Sequence, residues 1–172
     1  LRRRLTPRET ARLQGFPEHF VLPKSSYNRL LGNAVAVPCA AHALRRVTDG
    51  TESTYLDICS GVGGFAFAAE RVNPSLRCVG FSEIMPSAIE CYSSNFPETP
   101  RLGDLTKIKD FPACDIVMAG FPCQPFSNAN RHKFTVRHEN VDFYQVVLDA
   151  IERSRCSRVV LENVSNFLTV GK

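Results

Sequence analysis

Cys123 stands between two prolines in Phe121-Pro122-Cys123-Gln124-Pro125-Phe126-Ser127, directly after the apolar run Ile116-Val117-Met118-Ala119. Pro122 and Pro125 restrict the backbone and remove two amide donors, so this segment can be neither helix nor paired strand. A thiol on a rigid turn at the end of a sheet strand sits where open α/β folds perform chemistry. Held that way, its thiolate is the nucleophile that covalent catalysis needs. A free cysteine also serves as a small buried hydrophobe, and the chain has seven of them. A second chemically useful group follows Val159-Val160-Leu161: Glu162, in Glu162-Asn163-Val164. A carboxyl at the end of an apolar strand, against a low-dielectric floor, has its pKa raised and can donate a proton. Parallel strands would bring it to the same sheet edge as Cys123.

A third group of residues suits a nucleotide-like ligand. Ser60-Gly61-Val62-Gly63-Gly64 follows a short strand and precedes a helix, so the backbone can approach a ligand closely and the helix offers free amides. The third glycine comes too early for the dinucleotide fingerprint. A plain tight turn is the alternative. Glu83, directly after the next strand, is placed to accept hydrogen bonds from ribose hydroxyls, or is simply an exposed carboxylate at a helix start. Asp104 either accepts from an adenine amino group or caps a turn.

The elements that position these groups alternate. Strands are expected at 55–58, 77–81, 115–119 and 159–161, and helices at 65–71, 86–95 and 143–153, the last with Asp142 as its cap. This βαβ pattern predicts a doubly wound, mostly parallel sheet of Rossmann-like type. Before it, Thr6-Pro7-Arg8-Glu9 reads as a capping box with proline at the first helical position, and Gly15 ends that helix. A second helix begins at Pro38 and reaches Val47. The polar stretch 48–53 has linker composition, which divides the chain into a segment 1–47 and a core 54–172.

Bulk properties narrow the class without deciding it. A chain of 172 residues with 44% hydrophobic content is enough for one real core. A net charge of +4 is compatible with a polyanion, and Arg2-Arg3-Arg4 suits phosphates or a frayed terminus equally. The cysteines are odd in number, with no Cys-x-x-Cys pair and no zinc-like cluster, so free thiols in a reducing compartment and no metal are expected. No apolar run approaches membrane-spanning length and no signal peptide opens the chain. It begins on Leu1, which reads as a processed, excised or incompletely represented product.

Taken together, Gly120-Phe121-Pro122-Cys123-Gln124-Pro125-Phe126-Ser127 and Glu162-Asn163-Val164 resemble the catalytic motifs of the DNA cytosine-5 methyltransferases. Asp57-Ile58-Cys59-Ser60-Gly61-Val62-Gly63-Gly64-Phe65 resembles the family's S-adenosylmethionine loop, with Ser82-Glu83-Ile84 and Gly103-Asp104-Leu105 as further cofactor contacts. The N-terminal Arg3-Arg4-Leu5-Thr6-Pro7-Arg8-Glu9 and Arg12-Leu13-Gln14-Gly15-Phe16-Pro17 are similar to the penultimate motif. Gly32-Asn33-Ala34-Val35-Ala36-Val37-Pro38 is similar to the last, which brings Asn33 and Ala34 to the cofactor pocket. Nearly the whole chain is covered.

The resemblance implies an S-adenosylmethionine-dependent methyltransferase fold and methyl transfer to carbon 5 of cytosine in DNA. Cys123 would be the nucleophile, Glu162 the proton donor, and Asn163 and Pro122 would shape the loop. The order of motifs is unusual, since two normally C-terminal motifs come first; a circular permutation joined through 48–53 is expected. The family's Gln-x-Arg-x-Arg element and its target-recognition block are not found, so a second polypeptide or a missing segment is expected to supply them. The stretch 137–143 also departs from the family's Arg-Gly pattern. An RNA cytosine methyltransferase and an inactive cofactor-binding regulatory subunit are the alternatives. The expected setting is the cytoplasm of a microbe with a restriction–modification system, or else a nucleus.

Overall fold

The computed structural model describes residues 3–50, 52–122, 139–165 and 167, with the side chains of 139–142 left aside. Cys123 and residues 124–138, including Arg137, therefore lie outside the described residues.

Five strands form one parallel sheet in the order β3-β2-β1-β4-β5. They are β1 (Ser53–Ile58), β2 (Leu76–Ser82), β3 (Arg101–Gly103), β4 (Ile116–Gly120) and β5 (Arg158–Glu162). All pairings are parallel, as the βαβ pattern predicts. The two central strands bury almost every residue, because helices cover both faces of the sheet. One core lies between the sheet and α3 (Val37–Val47) and α4 (Gly64–Val72), and includes Leu44, Phe65, Phe67, Ile116 and Met118. A second lies under α6 (Glu139–Ser154) and includes Leu56, Ile58, Val117, Ala119 and Val147. Alternate residues of β1 and β4 feed the two cores, as the period of a strand requires.

The N-terminal segment is part of this packing. In α1 (Pro7–Leu13) the expected capping box is present: Glu9 N–H donates to Thr6 Oγ1 at 3.2 Å, and Thr6 N–H to Glu9 Oε2 at 2.9 Å. Gly15, at φ +83°, turns the chain after this helix, and Val37 N–H donates to the Gln14 carbonyl at 2.9 Å. A short helix α2 (Tyr27–Gly32), not expected from the sequence, buries Leu30 and Leu31. The loop between α2 and α3 then drives Val35 into the heart of the protein. A Cβ on Gly64 would lie 2.5 Å from the Val35 carbonyl oxygen, and one on Gly120 would lie 2.9 Å from Val35 Cγ2. Only glycine at both places admits this loop.

Substituting Gly64→Ala should therefore destabilise the fold by about 1–3 kcal/mol, the usual cost of overpacking against a neighbour that cannot yield. Gly32→Ala, whose Cβ would meet nothing within 4 Å, should be near neutral. Thermal unfolding of the two variants checks the contrast.

The linker is shorter than expected. Ser53 pairs with Leu76 and is buried as the first residue of β1, so the polar connection ends one residue earlier. Arg158 clasps both ends of this connection, donating to the Val47 carbonyl at 2.9 Å and to Ser53 Oγ at 3.2 Å. β3 is an unforeseen strand, and β4 and β5 each run to Gly120 and Glu162, further than their apolar runs suggest. Helix α6 starts at Glu139, ahead of the expected 143.

Candidate active site

A parallel ladder delivers every strand's C-terminal end to one edge, and the chemistry-bearing residues lie there. In the β4–β5 register, Glu162 pairs with Gly120, three residues before Cys123 in the sequence. Glu162 Oε2 is 3.6 Å from where a Gly120 Cβ would stand. Although the residue is exposed at the sheet's edge, the protein around its carboxyl raises its pKa through loss of solvation. Asn163 reaches across the same gap, its Nδ2 donating to the Phe121 carbonyl at 3.1 Å. Phe121 is buried against Tyr144 and Phe167, with ring centroids 5.7 and 5.4 Å away. The end of β4 and Phe121, just ahead of Cys123 in the sequence, are thus fixed by a ladder pair, a side-chain amide and an aromatic cluster, and Pro122 is exposed.

The glycine turn lies beside it, between β1 and α4. Cys59, Gly61 and Gly63 have φ of 55°, 56° and 94°, which reverses the chain within a few residues. Ser60 N–H donates to the Ser82 carbonyl at 3.1 Å and Gly63 N–H to the Ser60 carbonyl at 3.0 Å. Glu83 braces the turn: its carboxylate accepts from Gly61 N–H at 2.9 Å and from Ile84 and Met85 N–H at 2.7 and 2.9 Å. Its oxygens keep lone pairs for further donors. Ile84 exposes 68% of its surface beside Glu83, an apolar face available to a flat ring. Burial, with the Glu83 and Asp57 charges, pushes the Cys59 thiol far up, so it is no rival nucleophile.

The remaining expected contacts divide. Asp104 caps the single 3-10 turn at Leu105–Lys107, Oδ1 accepting from Thr106 N–H and Oγ1 at 3.0 and 2.7 Å. Those bonds, the hydroxyl's first, lower its pKa. Leu105 is buried in the core under α6. Phe65 is buried in the opposite core. Asn33 is exposed at the end of α2, and Ala34 is half-buried beside it. Val35 makes the close approach to Gly64 and Gly120. The sequence reading missed this role; paired glycines after β1 and at the end of β4 were the available signal.

Two buried polar atoms at the turn have no hydrogen-bond partner among the described residues, Asp57 Oδ1 and Ser60 Oγ. Such atoms are rare in folded proteins and suit a ligand with polar groups of its own. A Cβ on Gly61 would meet nothing within 4 Å, leaving open space directly over the turn. A separate concavity, lined by residues including His19, Phe67 and Glu70, lies on the α1–α4 side. It holds neither the glycine turn nor the strand ends and carries no chemistry here.

Strand order, glycine turn and a carboxylate after β2 define a Rossmann-like methyltransferase fold. Solved structures agree. A precorrin-6y C5,15-methyltransferase from Geobacter metallireducens aligns with TM-score 0.52 and 15% identity, over 88% of this chain and 73% of that one. TrmN from Thermus thermophilus aligns with TM-score 0.51 and 17% identity, over 77% and 43%. At the level of sequence, the family described as C-5 cytosine-specific DNA methylase matches residues 1–49 and 53–172. The chain belongs to that family. Type II methyltransferase M.BsuFI of Bacillus subtilis is 34% identical over 85% of this chain and 33% of its own length. M.BanI of Aneurinibacillus aneurinilyticus is 37% identical over 69% of this chain and 28% of its own. M.MspI of Moraxella sp is 34% identical over 86% and 35%. The chain thus spans about a third of the length of the curated relatives it matches. No helix among the described residues is long and apolar enough to cross a membrane.

Methylases of this family draw their methyl group from S-adenosyl-L-methionine. The open glycine turn, the orphaned Asp57 and Ser60 oxygens, the Glu83 carboxylate and the exposed Ile84 fit that cofactor.

Proposed function

We propose that this chain methylates carbon 5 of cytosine in DNA through a covalent adduct on Cys123. The observation that carries the reading is the pairing of Glu162 with Gly120, since it sets a carboxyl of raised pKa beside the root of the Cys123 loop. A target cytosine has to leave the base stack, because its ring carbons are inaccessible inside a duplex. The Cys123 thiolate then forms a bond to carbon 6, and the displaced electron pair moves toward ring nitrogen 3. Glu162 stabilises that pair by donating its proton or a hydrogen bond. S-adenosyl-L-methionine would supply the electrophilic methyl group to the nucleophilic carbon 5, its sulfur–methyl bond breaking to leave the neutral thioether S-adenosylhomocysteine. The carbon-5 proton then leaves to solvent, its electron pair forms the carbon 5–carbon 6 double bond as the carbon 6–sulfur bond breaks to regenerate the Cys123 thiolate, and any proton lent to ring nitrogen 3 returns to Glu162. Asn163 keeps the loop in register throughout by holding the Phe121 carbonyl.

At the donor site we assign Asp57, Cys59, Ser60, Gly61, Gly63, Gly64 and Phe65 to the cradle. Glu83 meets the ribose, Ile84, Asp104 and Leu105 border the adenine, and Asn33 and Ala34 close the far side. Glu83→Ala should weaken S-adenosylmethionine binding by about 1–3 kcal/mol, the value of a charged hydrogen bond. Calorimetry on the two proteins reads this directly, and equal affinities would remove Glu83 from the site.

We further propose that segment 1–47 is circularly permuted and joined to the core through the connection ahead of β1. The embrace of Val35 by Gly64 and Gly120 supports one continuous domain. β5 is an edge strand with Val159 and Leu161 exposed at 36% and 40%. Soluble proteins avoid such apolar edges. A second polypeptide or further segment, carrying the arginine motif and the target-recognition domain, is the proposed cover. A microbial restriction–modification system is the proposed setting, in keeping with the bacterial sources of the relatives. Transfer of labelled methyl groups onto duplex DNA and onto RNA, with and without a candidate partner chain, tests the whole reading. Labelling of RNA alone would replace DNA as the substrate, and donor binding with no transfer under any condition would favour a regulatory subunit.

A further inference from the structure

Beneath the glycine turn the cradle residue Asp57 is paired with a buried tyrosine that the methyl-transfer scheme does not use. Asp57 and Tyr92, the latter on α5 (Pro86–Asn95), are both fully buried. Tyr92 Oη donates to Asp57 Oδ2 at 3.2 Å. Its ring stacks on Phe81 with centroids 4.1 Å apart. The ring's edge also borders the far end of the turn together with Phe96: a Cβ on Gly63 would be 3.4 Å from Tyr92 Cδ2 and 2.9 Å from Phe96 Cε2. One side chain therefore bonds the residue that leads into the turn and lines the space beside the residue that leads out of it. Between them lie Ser60, with its unpartnered Oγ, and Gly61, with open space above it.

We propose that Tyr92 is a positioning residue of the methyl-donor site: its hydroxyl orients the Asp57 carboxyl while its ring, with Phe96, closes the space beside Gly63, holding the turn in shape for S-adenosylmethionine. The inference rests on the donor-site reading above. It concerns a residue outside every motif that carried the family resemblance.

The charged and titratable neighbours of Asp57 are Tyr55 on β1, Cys59 just after it, Cys78 on β2, Glu83 after β2 and Tyr92 on α5. Across the ladder on β4 its neighbour is Met118, which is apolar. Burial pushes the Asp57 carboxyl up to about 8; the Tyr92 hydrogen bond opposes this and the Glu83 charge adds to it. The folded protein thus keeps a proton that the unfolded chain releases above the ordinary carboxylate value of 3.8. The stability this group contributes is complete below that value and is lost as pH rises through about 8.

Tyr92→Phe keeps the ring and removes the hydroxyl. In the full chain, calorimetric affinity for S-adenosyl-L-methionine should fall about tenfold, as expected for one lost hydrogen bond to a buried carboxyl. Because the opposing bond is gone, the decline of stability with pH should extend further upward than in wild type. A hydroxyl that merely filled space would lower the stability curve in parallel at every pH. Asp57→Asn retains an acceptor for Tyr92 but cannot ionise, so it should flatten the decline. Unchanged donor affinity in Tyr92→Phe would overturn the proposal, as would a parallel curve. Should Tyr92→Phe fail to fold, Asp57→Asn decides: a persisting decline overturns the pair, and a flattened one supports it. Absence of donor binding in wild type would instead overturn the donor-site reading, and this inference with it.

Discussion

Cys123→Ser should reduce methyl transfer by roughly four or more orders of magnitude, as loss of a covalent nucleophile does elsewhere, while leaving S-adenosylmethionine affinity nearly unchanged. The split follows from the sheet. The donor is assigned to the turn after β1 and its neighbours after β2, whereas Cys123 follows β4 in the sequence, beyond the separately anchored Phe121. Serine is close in size to cysteine, so the loop loses nucleophilicity rather than shape. A hydroxyl near its ordinary pKa, with no base assigned to it here, is a poor nucleophile at neutral pH. Single-turnover assays with labelled donor, paired with calorimetry, read both halves. Retained turnover in the variant would remove Cys123 from the mechanism, and lost donor binding would mean the two loops are not independent.

Glu162→Gln should lower kcat by about 10²–10⁴-fold, the usual contribution of a positioned proton donor. Burial raises the Glu162 pKa, so its acid form persists to higher pH than an ordinary glutamate's. If the acid form acts at ring nitrogen 3, activity should fall as pH rises through that raised pKa. The variant should lose this limb of the profile together with most of its rate. Glutamine preserves the shape and a donor N–H but cannot pass a proton, so the residual rate measures hydrogen bonding alone. An unchanged pH profile would deny Glu162 the acid role.

Both variants concern residues whose proposed roles rest on motifs legible in the chain's text. A proline-flanked cysteine and a glutamate after an apolar run announce themselves through local chemistry. So do the Thr6–Glu9 capping box and the helix at 86–95, which begins at a proline and ends where expected. Elements that depend on partners were not legible. α2 is entered through Ser26, whose φ of 55° and missing side-chain cap depart from an ordinary helix start, so its start was not readable from a capping pattern. β3 is three residues long and is a strand only because β2 pairs with it. Ser53 belongs to a polar stretch, yet pairing with Leu76 and the reach of Arg158 make it strand.

The active site divides along the same line. Residue types and spacing by themselves supplied the candidates proposed here as nucleophile, proton donor and donor-binding turn, because each is a short motif whose chemistry is carried locally. Only the tertiary structure decided that Glu162 stands beside Gly120, that Asn163 holds the Phe121 carbonyl, that Val35 is seated between two glycines, and that Tyr92 spans the turn. These are contacts between residues from about 30 to 85 positions apart in the chain. No periodicity or propensity encodes them, because each exists only once a parallel sheet has brought its strand ends to a common edge.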